Sequence, residues 1–120
     1  MHDNIFEDLL RRIVPQDGVD QIIALRASNG QTYIMENRNI MSGDNSDEDL
    51  FLRSLKAQGV TTVTHLAAVW CYGGLDVPSM HFRQGLLELS PENAETLLLL
   101  QGEGHYAVWP LQRTMPRETM

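Results

Sequence analysis

The chain has a single cysteine, Cys71, among 120 residues. No internal disulfide can brace the fold, so stability has to come from a packed core. Basic residues are scarce as well: 9 Lys and Arg stand against 16 Asp and Glu, for a net charge of -7. The few cations are scattered, which argues against a phosphate-tracking groove and so against nucleic acid or an anionic membrane as a partner. Long apolar runs are missing too. The longest, residues 66–71 and 96–100, fall far short of a bilayer span. No charged N-terminal segment leads into a long apolar stretch, and a cytoplasmic location is the expectation.

What the sequence does hold is 42% apolar residues, enough to bury a core in a chain of this size. A single domain over residues 1–120 is expected, with residues 1–19 as an N-terminal helix and turn and residues 114–120 as a frayed tail.

Ile5, Phe6, Leu9, Leu10 and Ile13 recur at helical spacing over residues 4–14, and Pro15 with Asp17-Gly18 ends the pattern. Residues 21–27 and 31–36 are apolar-rich and flank Ser28-Asn29-Gly30, a hairpin signal because Asn and Gly both tolerate positive φ. A polar loop over residues 37–45 leads to a second helix, with Ser46 as the expected N-cap, Leu50, Phe51 and Leu55 on its apolar face and Gly59 at its stop.

Residues 60–71 are apolar without clean alternation, the pattern of a strand covered on both faces. After a Gly73-Gly74 loop, Phe82, Leu86 and Leu89 mark a third helix capped by Ser79, and Gly85 is expected to let that helix approach the sheet closely. Residues 96–101 and 105–112 read as two more strands. The order is α-β-β-α-β-α-β-β, and the handedness of crossovers makes the strands at 60–71 and 96–101 parallel.

Within this order, Pro78-Ser79-Met80-His81-Phe82-Arg83-Gln84-Gly85-Leu86-Leu87-Glu88 resembles the Pro-Cys-x-x-Cys-Arg-Gln-x-Leu-x-Glu pattern of the cytidine deaminases, with Pro78, Arg83, Gln84, Leu86 and Glu88 in register. Ser46-Asp47-Glu48 falls where that family has Cys-Ala-Glu or His-Ala-Glu. Met35-Glu36-Asn37 resembles part of its ribose-gripping Asn-x-Glu-Asn segment, with Ile34 in place of the first asparagine. The resemblance spans roughly residues 20–113 and implies an α/β fold: a cytidine deaminase-like three-layer α-β-α sandwich around a five-stranded mixed sheet.

The same resemblance makes Glu48 a vestige of the catalytic proton shuttle, and Glu36 and Asn37 the ligand-binding candidates. Ser46, Ser79 and Phe82 then stand at the zinc-ligand positions. Neutral hydroxyls are poor zinc ligands and a phenyl ring cannot ligate, so no metal and no cofactor are expected. Ser46 and Ser79 read equally well as helix caps, Phe82 as a core residue, and Glu48 as one of three acidic residues favouring a helix N-terminus. Cys71, His65 and His81 match no metal-ligand spacing. Cys71 reads as a buried, inert thiol. Trp70, Tyr72, Tyr106 and Trp109 could stack a ring at a pocket mouth, but strand aromatics more often pack a core or an interface.

Three functions remain open on these residues. The first is a deaminase-like protein without zinc or catalysis that binds a nucleoside-like small molecule or a protein. The second is an active deaminase whose rearranged zinc site combines Glu48 with His81 or Cys71. The third is an interaction module. The resemblance also implies a homo-oligomer, a dimer or tetramer.

Overall fold

A computed structural model describes residues 2–116. In chain order its elements are α1 (His2–Arg12), β1 (Gln21–Ala27), β2 (Thr32–Asn37), α2 (Ser46–Ala57), β3 (Val63–Trp70) and β4 (Leu75–Asp76). There follow α3 (Met80–Leu89), β5 (Leu97–Gln101), β6 (Tyr106–Pro110) and α4 (Leu111–Thr114), with 3₁₀ turns at Ile40–Ser42 and Pro91–Glu95.

β1 and β2 pair antiparallel, as the sequence predicts, with Gln21 opposite Asn37 and Ile23 opposite Met35. Their loop differs from the expectation. Only Gly30 takes a positive φ, +84°, and Asn29 instead accepts a hydrogen bond from the Gln31 N–H at 2.8 Å. The connection runs over four residues, 28–31, rather than the three expected, and one left-handed residue suffices.

The sheet runs β2-β1-β3-β5-β6. β3 is antiparallel to β1 and parallel to β5, with His65 opposite Leu97, and α3 lies on the crossover between them. β4 adds a sixth strand by folding back on the end of β3. At two residues it is too short to carry a periodic pattern, and the sequence reading takes it for loop. Leu111 and Gln112, expected at the end of the last strand, instead open α4; Pro110 precedes it as the N-cap residue and Leu111 anchors it in the core.

Side chains alternate across the sheet. Ile22, Ala24, Ala67 and Leu99 pack against Phe6 and Leu9 of α1 and against Ile13, just beyond its end. On the other face Ile23, Leu25, Met35, Leu66, Ala68 and Leu98 pack against Leu52 and Leu55 of α2, Phe82 and Leu86 of α3, and Leu111. The result is three layers, α1 against sheet against α2 and α3. Coverage on both sides is why β3 reads as a continuous apolar run.

Two details fix where α3 sits. Asn93, fully buried, accepts from the Val63 N–H and donates to the carbonyls of Thr61 and Leu86, tying β3 to the end of α3. Gly85 faces α2 rather than the sheet, because a Cβ built there would come within 2.4 Å of Leu52 Cδ1. Thr114, expected in a frayed tail, is held at the end of α4 by Arg83, which donates to its carbonyl; residues 117–120 lie outside the described residues.

Candidate functional site

The register of the sheet places Gln21 between Asn37 of β2 and Trp70 of β3. Alternation puts all three on the face covered by α2 and α3. The first turns of those two helices converge on the same corner, α2 bringing Glu48 and α3 preceded by Ser79.

Glu48 is fully buried and every group donating to it is neutral. Asn37 Nδ2 donates to its Oε2 at 3.2 Å, and Asn45 Nδ2 to its Oε1 at 2.9 Å. Ser79 Oγ lies 2.8 and 2.9 Å from the two oxygens. A buried carboxylate needs such donors, since desolvating it without them is costly. Glu48 is therefore the hub that joins β2, α2 and α3, well beyond the helix-dipole role of an acidic first turn.

Ser79 does cap its helix, accepting from the Phe82 N–H at 3.0 Å. Ser46 does not. The N-cap of α2 is Asn45, Ser46 is the first helical residue, and its exposed hydroxyl donates to Asp44. Asp44 also accepts the Ser46 N–H at 2.8 Å, and these contacts lower its carboxyl below the usual 3.8. Phe82 is fully buried beside Phe51, with ring centroids 6.3 Å apart. At the three positions that the resemblance aligns with zinc ligands, one hydroxyl is engaged by Glu48, one is turned outward to Asp44, and the third side chain has no donor atom, so none offers the thiolate or imidazole that zinc prefers.

Of the two ligand-binding candidates, Asn37 joins the cluster and Glu36 does not. They are neighbours on a strand, so they point to opposite faces, and Glu36 pairs with Arg38 at 2.7 Å. Nor do the proposed alternatives gather around Glu48. His65 packs edge-on to Phe6 at 5.3 Å, on the α1 face. His81 pairs with Asp49 across the first turns of α3 and α2 at 2.6 Å. Cys71, read as buried, is exposed, because β3 ends at Trp70 and the chain turns there. Among the described residues no three His, Cys, Asp or Glu side chains gather as a metal ion would require.

The aromatics divide. Trp70 and Tyr72 lie parallel with centroids 6.3 Å apart, and the Trp70 indole donates to Asp76. Tyr106 is exposed on β6, and Trp109 is covered by the Arg113 guanidinium at 4.2 Å. Arg83, a motif match, serves structure: it donates to the Pro78 and Thr114 carbonyls, and burial pulls its guanidinium below its ordinary value while Asp76 opposes this.

Sequence reasoning missed Gln21 and Asn45. The latter had a readable signal, an Asn three residues before a Glu at a helix start. Gln21 had none, because a polar residue opening a strand is ordinary and its burial depends on Trp70 and the helices.

No protein-family model matches the chain. Comparison with curated proteins by sequence gives no match either. Solved structures do resemble it. A cytidine deaminase from Burkholderia pseudomallei superposes with a TM-score of 0.62 at 21% identity, covering 97% of each chain. One from Mycobacterium leprae gives 0.59 at 15% identity over 98% of this chain and 95% of its own. A mutant cytidine deaminase from Mycobacterium tuberculosis gives 0.57 at 19% identity over 100% and 95%. The fold is cytidine deaminase-like.

Proposed function

We propose that this chain uses a deaminase-like scaffold without zinc and without deamination, and binds a small nucleoside-like ligand where α2, α3 and the sheet converge. One observation carries the reading: the Ser79 hydroxyl lies against both oxygens of Glu48. In a zinc deaminase the glutamate moves protons between a metal-activated water and the base, and a cysteine thiolate belongs at the position matched by Ser79. Here a serine at that position supplies the glutamate with a hydrogen bond instead. Phe82, fully buried, adds apolar packing at a second such position.

A carboxylate surrounded by Asn37, Asn45 and Ser79 remains suited to accepting hydrogen bonds from a polar ligand. The resemblance to small deaminases supports a homo-oligomer as the working form, which light scattering checks directly.

The test is metal content, turnover and binding on the same preparation. Less than a tenth of an equivalent of zinc, no uridine from cytidine, and a melting temperature raised by a nucleoside are the expected results. Zinc near one equivalent together with uridine formation would overturn the proposal and restore the active-deaminase reading.

A further inference from the structure

Gln21 opens β1 and is only 1% exposed, yet neither Nε2 nor Oε1 has a hydrogen-bond partner among the described residues. Directly opposite in the ladder, Asn37 is fully buried; its Nδ2 is engaged by Glu48, while its Oδ1 has no partner. Three unpartnered polar atoms therefore belong to two residues facing one another, next to a buried carboxylate.

Leaving a buried amide unpaired costs stability, and native interiors seldom do so. The same face of the same strand continues with Ile23 and Leu25, so an apolar residue at position 21 would suit the core better. The amide at this one position calls for a partner that the described residues do not supply.

We infer that Gln21 is a ligand-recognition residue of the site described above, and that it reads a planar, neutral edge with adjacent donor and acceptor, such as a lactam, imide or urea. This rests on the ligand-binding reading of the preceding subsection. A primary amide donates through Nε2 and accepts through Oε1, so an –NH–C=O– edge satisfies both atoms at once. The Asn37 Oδ1 takes a further donor. The Glu48 carboxylate disfavours an anion, and the side chains that donate to it, Asn37, Asn45 and Ser79, are neutral.

The other neighbour of Gln21 in the ladder is the half-buried Trp70, stacked on an exposed Tyr72. This aromatic pair offers a flat surface on which a planar ligand would stack.

The experiment compares the whole chain with Gln21→Met, which keeps the length of the side chain and removes the amide. Melting temperatures are read alone, with uridine, and with 3-methyluridine, whose imide N–H is blocked. Uridine should raise the melting temperature of the parent chain, and 3-methyluridine should not. Gln21→Met should melt about 4 °C or more above the parent, because an unpaired amide is gone, and should no longer respond to uridine.

A Gln21→Met protein that still responds fully to uridine overturns the role of Gln21 and leaves ligand binding intact. One that melts below the parent also overturns it, since Gln21 would then be a structural residue. If the parent itself does not respond to uridine, the ligand-binding reading fails and this inference fails with it.

Discussion

Ser79 and Glu48 lie 31 residues apart in sequence and 2.8 Å apart in space, and their hydrogen bond fastens the start of α3 to the start of α2. The serine caps its own helix through the Phe82 N–H with the same oxygen. Its hydroxyl thus serves as acceptor and donor at once.

Ser79→Ala removes both functions. A lost cap costs about 0.5–2 kcal/mol and a lost hydrogen bond to a buried charged group about 1.5–3 kcal/mol. The expected loss is about 2–4 kcal/mol in urea unfolding. A loss below ~0.5 kcal/mol would mean that the bridge contributes nothing to the fold.

His81 predicts a pH dependence. Its hydrogen bond to Asp49 raises its pKa above the ordinary 6.5; desolvation opposes this, and the charges of Asp49, Glu48 and Glu88 reinforce the rise. A raised folded value means that protonated His81 contributes stability in full below the unfolded value and loses it as pH rises through the folded one. Both partners are about half exposed, so the contribution is under about 1 kcal/mol and weakens with salt. Stability measured over roughly pH 5.5 to 8 should fall slightly more in the parent chain than in His81→Gln. Identical profiles for the two would exclude the pair as a source of pH dependence.

Gly85→Ala sets two effects against each other. Alanine improves helix propensity by about 1 kcal/mol, but its Cβ meets Leu52 Cδ1 at 2.4 Å and that side chain is 9% exposed. Overpacking of this kind costs about 1–3 kcal/mol, so a net loss of up to about 2 kcal/mol is expected in urea unfolding. Making the same change beside Leu52→Ala should turn the loss into a gain, since the clash is then gone. If alanine costs the same with and without Leu52, the two helices are not in contact at this point.

The hairpin, the two-sided β3, the crossover and the stop of α2 at Gly59 were legible because each is written locally. Gly59 takes φ +76° where the sequence predicts a helix end. The site was legible only in part. Ser79 reads as a cap and is one, whereas Ser46 reads as a cap and is displaced by Asn45, one residue earlier. Both residues are good caps by type, so residue type alone does not select between them.

Periodicity and turn chemistry determined the three long helices and five of the six strands, and the motif around Pro78 to Glu88 pointed to the deaminase-like scaffold. Both are matters of spacing along the chain. The tertiary structure alone decided that Asn37 faces Glu48 while Glu36 faces Arg38, that Cys71 is exposed, and that the amide of Gln21 is buried without a partner. Those outcomes depend on strand register and on helices arriving from distant parts of the sequence. A one-residue shift of register would exchange every one of these faces.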